Sequence, residues 1–269
     1  MKRFISFGIC AVLLLIPCFT ANGTTIVLAR SASEIVIGAD SKLTDTYGNA
    51  LGNTACKIQQ IGNLFIAIEG FLRDRQTGFS VNEIARRALQ LKPDAPAEAK
   101  VNVLTGFLTS ALFVELLNVK VNSPQEFRTK FEGQTFLRVI VAGFEKNKPV
   151  VFVRQFRLAF LARNIGVVVI PDDCLADCKE EVATRFIGET EAIEGLPDET
   201  TDFWKDGLVN GVRRLVEMEV TARSEYVGPP IDIVQINARG ATWIQKKAEC
   251  PEAHNVKGRP APTRSKRRR

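Results

Sequence analysis

The chain has 269 residues, 45% of them hydrophobic and 25% charged, which is typical of a globular protein and excludes a disordered or fibrous chain. Its net charge of +6 comes from its two ends, because Lys2 and Arg3 open the chain and residues 255–269 hold seven basic residues without an acidic one. The part between them is mildly acidic, so nucleic acid is not an expected partner apart from contacts of the basic tail.

Residues 1–23 have the order of a secretory signal peptide. Lys2 and Arg3 precede the apolar run FISFGICAVLLLIPCF, and the small residues of Ala21-Asn22-Gly23 follow it. Cleavage after Gly23 would start the mature protein at Thr24 and place it in the periplasm or the medium. The alternative is an uncleaved anchor, because the run is only slightly short of a membrane span. The membrane is an expected partner only in that case.

After the signal, strands come first and helices follow. TTIVLAR (24–30) and EIVIGAD (34–40) are rich in β-branched residues and predict two strands, and NLFIAIEG (63–70) predicts a third. Ser80 and Glu83 have the spacing of a capping box. Helical periodicity predicts helices at 80–91, 97–118 and 201–222. The remaining predicted strands are 135–144, 149–156, 165–170, 231–237 and 241–245.

This order indicates one α+β domain over residues 24–250. Antiparallel hairpins and clustered helices favour stacked sheets covered by helices, and the βαβα alternation of a parallel sheet is missing from the pattern. Residues 251–269 are basic and rich in proline, so they predict a disordered tail.

Four cysteines remain after the signal, namely Cys56, Cys174, Cys178 and Cys250. In an exported protein this even number predicts disulfides, and Cys174 and Cys178 are the pair closest in sequence. A metal site is not expected, because the chain has a single histidine, His254, and no CxxC pair. No cofactor is expected either, because no Walker loop or GxGxxG motif is present.

A lone histidine at the root of the tail also excludes Ser-His-Asp and Cys-His chemistry. A threonine at a newly formed N-terminus needs no histidine as its base. Its α-amine has a pKa of about 7.7–8.0 and accepts the proton of its own hydroxyl. Asp40 and Lys57 lie at strand ends from which a carboxylate and an ammonium would support Thr24. Gly70 follows the third strand and would leave room for a backbone N–H to bind an oxyanion.

The stretches TTIVLARSASEIVIGADSK, NTACKI and LFIAIEG resemble the start of proteasome β-subunits, which are N-terminal nucleophile hydrolases. The resemblance implies a four-layer αββα sandwich of two antiparallel sheets flanked by helices. It also implies that Thr24 is the nucleophile, that Asp40 and Lys57 support it, and that Gly70 belongs to the oxyanion hole. The implied activity is cleavage of peptide or other amide substrates, and the implied assembly is a homo-oligomer.

The sequence departs from the pattern of this family in two segments. Gly188-Glu189-Thr190 stands where the family has a serine in a glycine-rich turn. The segment RSEYVGPP (223–230) offers Ser224 or Glu225 and Val227 where the family has an aspartate and a serine. The alternative hypothesis is therefore a non-catalytic binding or assembly module, as the family's α-type subunits are.

Overall fold

The computed structural model of the chain describes residues 23–44, 50–74, 76–161, 164–174, 181–199, 202–248 and 250. The predicted signal and tail therefore lie outside the described residues, except for Gly23. The strands are β1 (Thr25–Arg30), β2 (Glu34–Ala39), β3 (Lys42–Thr44), β4 (Ala50–Thr54), β5 (Ile58–Ile61), β6 (Leu64–Gly70), β7 (Arg73–Asp74), β8 (Phe79–Ser80), β9 (Thr135–Glu145), β10 (Lys148–Leu161), β11 (Asn164–Pro171), β12 (Ala183–Gly188), β13 (Asp232–Asn237) and β14 (Gly240–Gln245). The helices are α1 (Val81–Gln90), α2 (Ala97–Asn122), α3 (Pro124–Lys130), α4 (Leu196–Glu199) and α5 (Leu208–Ala222).

Two five-stranded antiparallel sheets form the centre of the fold. Sheet I has the strand order β12-β1-β2-β13-β14, and sheet II has the order β11-β10-β9-β6-β5. One apolar cluster lies between the sheets, a second joins α1, α2 and α3 to sheet II, and a third joins α5 to sheet I. The layers are therefore helix, sheet, sheet, helix, and the predicted α+β sandwich is confirmed.

Strand β1 explains why the first predicted strands lack a polar face. Ile26 and Leu28 point into the cluster between the sheets, whereas Val27 and Ala29 point into the cluster beneath α5. All six residues of β1 are buried. A strand covered on both faces needs a continuous apolar sequence, and TTIVLAR supplies one.

Helix α2 is the one described helix that is long and apolar enough to span a bilayer by length and composition. Its inner side contributes Leu104, Leu108 and Leu112 to the cluster on sheet II, at the four-residue spacing of one helix face. Val114 and Val121 are exposed on its outer side. The burial of the inner row shows that α2 is part of the core of this fold.

The structure differs from the predicted element order, and two of the differences lie close to Thr24 or α5. The helix predicted at 201–222 begins at Leu208, because Gly207 has a φ of 87° and Asp202 a φ of 64°, neither of which fits a helix. Phe203 still packs beneath α5, although it lies outside the helix. The sequence prediction also missed β12, the edge strand that pairs with β1.

Candidate active site

The β1–β2 hairpin brings Asp40 close to Thr24. Ile26 pairs with Ala39, and the backbone N–H of Asp40 donates to the carbonyl of Thr25 at 3.1 Å. In an antiparallel hairpin the end of the second strand returns to the beginning of the first. Asp40, which directly follows β2, therefore lies beside Thr24, as the sequence predicted from the hairpin.

The carboxylate of Asp40 is fully buried and accepts four hydrogen bonds. Its Oδ1 accepts from the ammonium of Lys57 at 2.6 Å and from the N–H of Thr25 at 2.8 Å. Its Oδ2 accepts from the N–H of Lys42 at 3.0 Å and from the N–H of Gly228 at 3.1 Å. A buried carboxylate with this many donors has one orientation, so Asp40 fixes the position of Lys57.

The ammonium of Lys57 lies between the two neighbours of Thr24. It is 2.6 Å from Asp40, which binds the N–H of Thr25, and 3.3 Å from the carbonyl oxygen of Gly23. Burial lowers the pKa of Lys57 below its ordinary value of 10.5, and the carboxylate of Asp40 opposes that shift. A cation at this position disfavours a second positive charge on a nearby amine.

Thr24 is held from the other side by the end of β12. Its carbonyl accepts a hydrogen bond from the N–H of Glu189 at 2.6 Å, and the hydroxyl of Thr25 donates to the carbonyl of Glu189 at 2.7 Å. Gly188 has a φ of 93°, and a Cβ atom there would overlap the carbonyl oxygen of Thr24. The segment Gly188-Glu189-Thr190 thus acts on Thr24 through its backbone.

Gly70 occupies the last position of β6, where it pairs with Leu137. Its φ is 105°, and a Cβ atom there would overlap the carbonyl oxygen of Phe136. Close packing against β9 therefore requires a glycine at this position, and a part in an oxyanion hole stays a prediction. The preceding residue, Glu69, lies 3.4 Å from where a Cβ on Gly188 would be, so the ends of β6 and β12 are close together.

A second buried ion pair lies next to the first. The ammonium of Lys247 is 3.0 Å from the carboxylate of Asp232, and both side chains are almost fully buried. Lys247 also donates to the hydroxyl of Ser41 and to the carbonyl of Ala55. Because Ser41 follows Asp40 directly, the two pairs are neighbours, and the charge of Lys247 further lowers the pKa of Lys57. The sequence hypothesis did not include this pair.

A disulfide between Cys56 and Cys250 connects these two regions. Cys56 precedes Lys57, and Cys250 lies three residues after Lys247. The bond therefore ties the end of the described chain to the loop that carries Lys57. Cys174 is also disulfide-bonded, and its partner lies outside the described residues.

Buried carboxylates surround the start of β1. Burial raises the pKa of Glu69 above its ordinary value, and Arg138, at 3.2 Å, opposes that shift. Burial likewise raises the pKa of Glu189, which lies 3.3 Å from Arg223. Glu219 is fully buried, its pKa is also raised by burial, and it accepts a hydrogen bond from the N–H of Ala192.

The segment 223–230 contributes mainly backbone atoms to the site. Lys42 donates to the carbonyls of Ser224 and Glu225, each at 2.7 Å, and Gly228 donates its N–H to Asp40. Val227 is fully buried. A Cβ atom on Gly23 would overlap the carbonyl oxygen of Tyr226, so this segment also encloses the bond that precedes Thr24.

Within the described ranges, no group of three or more His, Cys, Asp or Glu side chains is arranged to hold a metal ion. Comparison of the sequence with protein-family models and with curated proteins gives no significant match. Functional interpretation therefore depends on the geometry around Thr24.

Proposed function

We propose that the protein is an exported N-terminal threonine hydrolase that cleaves peptide or other amide bonds through an acyl-enzyme. The observation that supports this most is the position of Lys57, whose ammonium contacts Gly23 directly and Thr25 through Asp40. Removal of residues 1–23 would give Thr24 an α-amine at this point. The resemblance of residues 24–70 to proteasome β-subunits supports the same reading.

In the proposed reaction the hydroxyl of Thr24 attacks the carbonyl carbon of the amide while its proton passes to the α-amine of the same residue. The tetrahedral intermediate collapses, its C–N bond breaks, and the α-ammonium protonates the departing amine. The acyl group is then an ester on the Thr24 oxygen. Water attacks that ester and gives its proton to the α-amine. The bond between the acyl carbon and the Thr24 oxygen then breaks, the α-ammonium returns the proton to that oxygen, and the carboxylic acid is released.

The charged neighbours favour the first of these steps. Positive charge on Lys57 disfavours protonation of the amine, so the amine is available as a base, and it also stabilises negative charge on the attacking oxygen. Asp40 keeps the ammonium in place with a bond of 2.6 Å. The paired charges are buried, and attraction between charges is stronger in a buried site than in water.

The test uses the mature protein with threonine-directed electrophiles. An epoxyketone or β-lactone should add its mass to the Thr24 peptide of the wild type, while T24A should show no adduct and an unchanged unfolding midpoint. T24S is the matched control, because serine retains the hydroxyl and should retain labelling. N-terminal sequencing of the exported chain should give Thr24 as the first residue, and any other start contradicts the proposal.

The second candidate is a non-catalytic binding or assembly module. Val227 and Glu189 motivate it, because neither places a serine hydroxyl beside Thr24, where the resembled family has one. Such a module would show no adduct with either electrophile although its N-terminus is Thr24. If the chain instead retains residues 1–23, Thr24 has an amide and no free amine, and the protein would remain with the membrane fraction.

A further inference from the structure

A cavity of about 190 Å³ opens beside the nucleophile, on the side where β12 faces sheet II. Gly188 and Thr190 are part of its lining, and the residue between them, Glu189, binds the carbonyl of Thr24. A group in this cavity would therefore lie next to the bond that Thr24 is proposed to cleave. The cavity involves β9, β10 and β12 and is formed by residues that the proposed mechanism does not use.

The cavity is polar because the layer between the sheets changes character at this end. Side chains on one face of a strand recur every second residue. In β9 the inward row passes from Ala142 and Ile140 to Arg138, and in β10 it passes from Val151 and Val153 to Gln155. The inward row of β6 also ends in a polar residue, with Glu69 after Ala67, and the inward row of β12 includes Arg185 between Ala183 and Ile187. Four strands thus direct polar side chains to one end of an otherwise apolar layer.

The strongest unused hydrogen-bonding capacity in the cavity belongs to Arg138. Arg185 pairs with Asp172 through two contacts, at 3.0 and 3.1 Å, and donates to the carbonyl of Thr184 at 2.7 Å, so that among the described residues only its buried Nε lacks a hydrogen-bond partner. Glu194 is exposed at the rim. Arg138 makes one side-chain hydrogen bond within the described part of the chain, to Glu69 at 3.2 Å. A guanidinium has five N–H donors, so most of its donors are available to a ligand.

We propose that this cavity is a substrate subsite in which Arg138, positioned by Glu69, binds a carboxylate that flanks the amide bond cleaved at Thr24. The inference rests on the proposed hydrolase function and narrows its substrates to amides with an acidic neighbouring group. A carboxylate suits the planar guanidinium, which binds it with two parallel hydrogen bonds.

The first experiment compares β-lactone probes that differ only in a glutamyl or a glutaminyl side chain. The two side chains have nearly the same shape, so their ratio of labelling rates at Thr24 reports the carboxylate alone. We expect the wild type to prefer the glutamyl probe and R138M to lose about 10- to 100-fold of that preference. R157M is the matched control, because Arg157 is exposed on β10 and bonds to Thr135.

The double variant R138M/E69Q covers the case in which R138M fails to fold with Glu69 left buried and unpaired. It removes the charge of Glu69 together with its partner and should show the same loss of preference as R138M. Equal labelling of wild-type Thr24 by both probes would overturn the subsite and leave the hydrolase function in place.

A binding experiment separates the subsite from the chemistry. Calorimetry with T24A should show binding of N-acetylglutamate and weaker binding of N-acetylglutamine, and R138M should remove the difference. If no probe labels the wild type but this difference is present, the hydrolase function fails and the carboxylate site stands. If T24A binds neither ligand, or binds both equally, the subsite is refuted.

Discussion

Loss of either partner of the buried Asp40–Lys57 pair should destabilise the protein strongly, and the two losses should be unequal. K57M removes the cation but leaves the Asp40 carboxylate with three backbone donors, at 2.8, 3.0 and 3.1 Å. D40N leaves Lys57 without its counter-ion, and its other acceptor, the carbonyl of Gly23 at 3.3 Å, is lost when residues 1–23 are removed. The new amide group would also direct N–H donors toward the donors of Lys42 or Gly228.

Breaking a buried pair by removing one partner costs about 3–5 kcal/mol. The donors that Asp40 retains put K57M at the lower end of that range, and the unpaired ammonium puts D40N at the upper end. The double variant D40N/K57M removes both charges, so its loss should be smaller than the sum of the single losses by about 2 kcal/mol. Because a domain of this kind has a total stability of about 5–15 kcal/mol, all three effects are measurable.

Urea unfolding followed by the fluorescence of the two tryptophans, Trp204 and Trp243, measures these changes. R86M is the control, because Arg86 and Glu83 form an exposed pair on α1 whose loss should leave the midpoint unchanged. A smaller loss for D40N than for K57M, or strictly additive losses, would refute the reasoning about unequal partners. Both single variants should also lose Thr24 labelling.

Three further changes test other parts of the structure. Joint replacement of Cys56 and Cys250 by serine opens a crosslink over 194 residues and should lower the free energy of unfolding in urea by up to about 5 kcal/mol, whereas an unchanged midpoint would exclude the bond. G188A should abolish Thr24 labelling and lower the melting temperature far more than G133A, because both glycines have positive φ but only Gly188 lies against Thr24. Burial raises the pKa of Glu219 above 4.5, so the stability it gives below pH 4.5 is lost as the pH rises through the raised value. The wild type should therefore melt lower at pH 8 than at pH 4.5, and a loss of equal size in E219Q would contradict that assignment.

The parts of the fold that the sequence predicted are those with local signals. β1 and β2 are apolar and β-branched because both of their faces are covered, and α1 begins directly after its N-cap Ser80, whose hydroxyl accepts from the N–H of Glu83. Asp40 lies close to Thr24 because a short hairpin joins β1 to β2. Its contact with Lys57, only 17 positions away, was accessible to the same reading.

Two parts of the structure that the sequence did not predict depend on pairing between distant segments. β12 pairs with β1 across more than 150 positions, and ATRFIG has mixed polarity because it includes Arg185, which lines the polar cavity. The pair of Lys247 with Asp232 is another such case, because a lysine after a predicted strand also fits an ordinary solvated turn. No local feature of the sequence distinguishes a buried, paired Lys247 from a lysine in a solvated turn.

The packing of Gly23 against Tyr226 constrains the order of events in the proposed maturation. In the folded chain Gly23 is enclosed and Thr24 is 8% exposed, so a separate peptidase has no access to the bond between them. If a leader peptidase makes the proposed cut, it acts on a chain whose first strand has not yet joined the sheet. Cleavage then comes before folding, and a chain that folds too early would keep its leader and stay inactive.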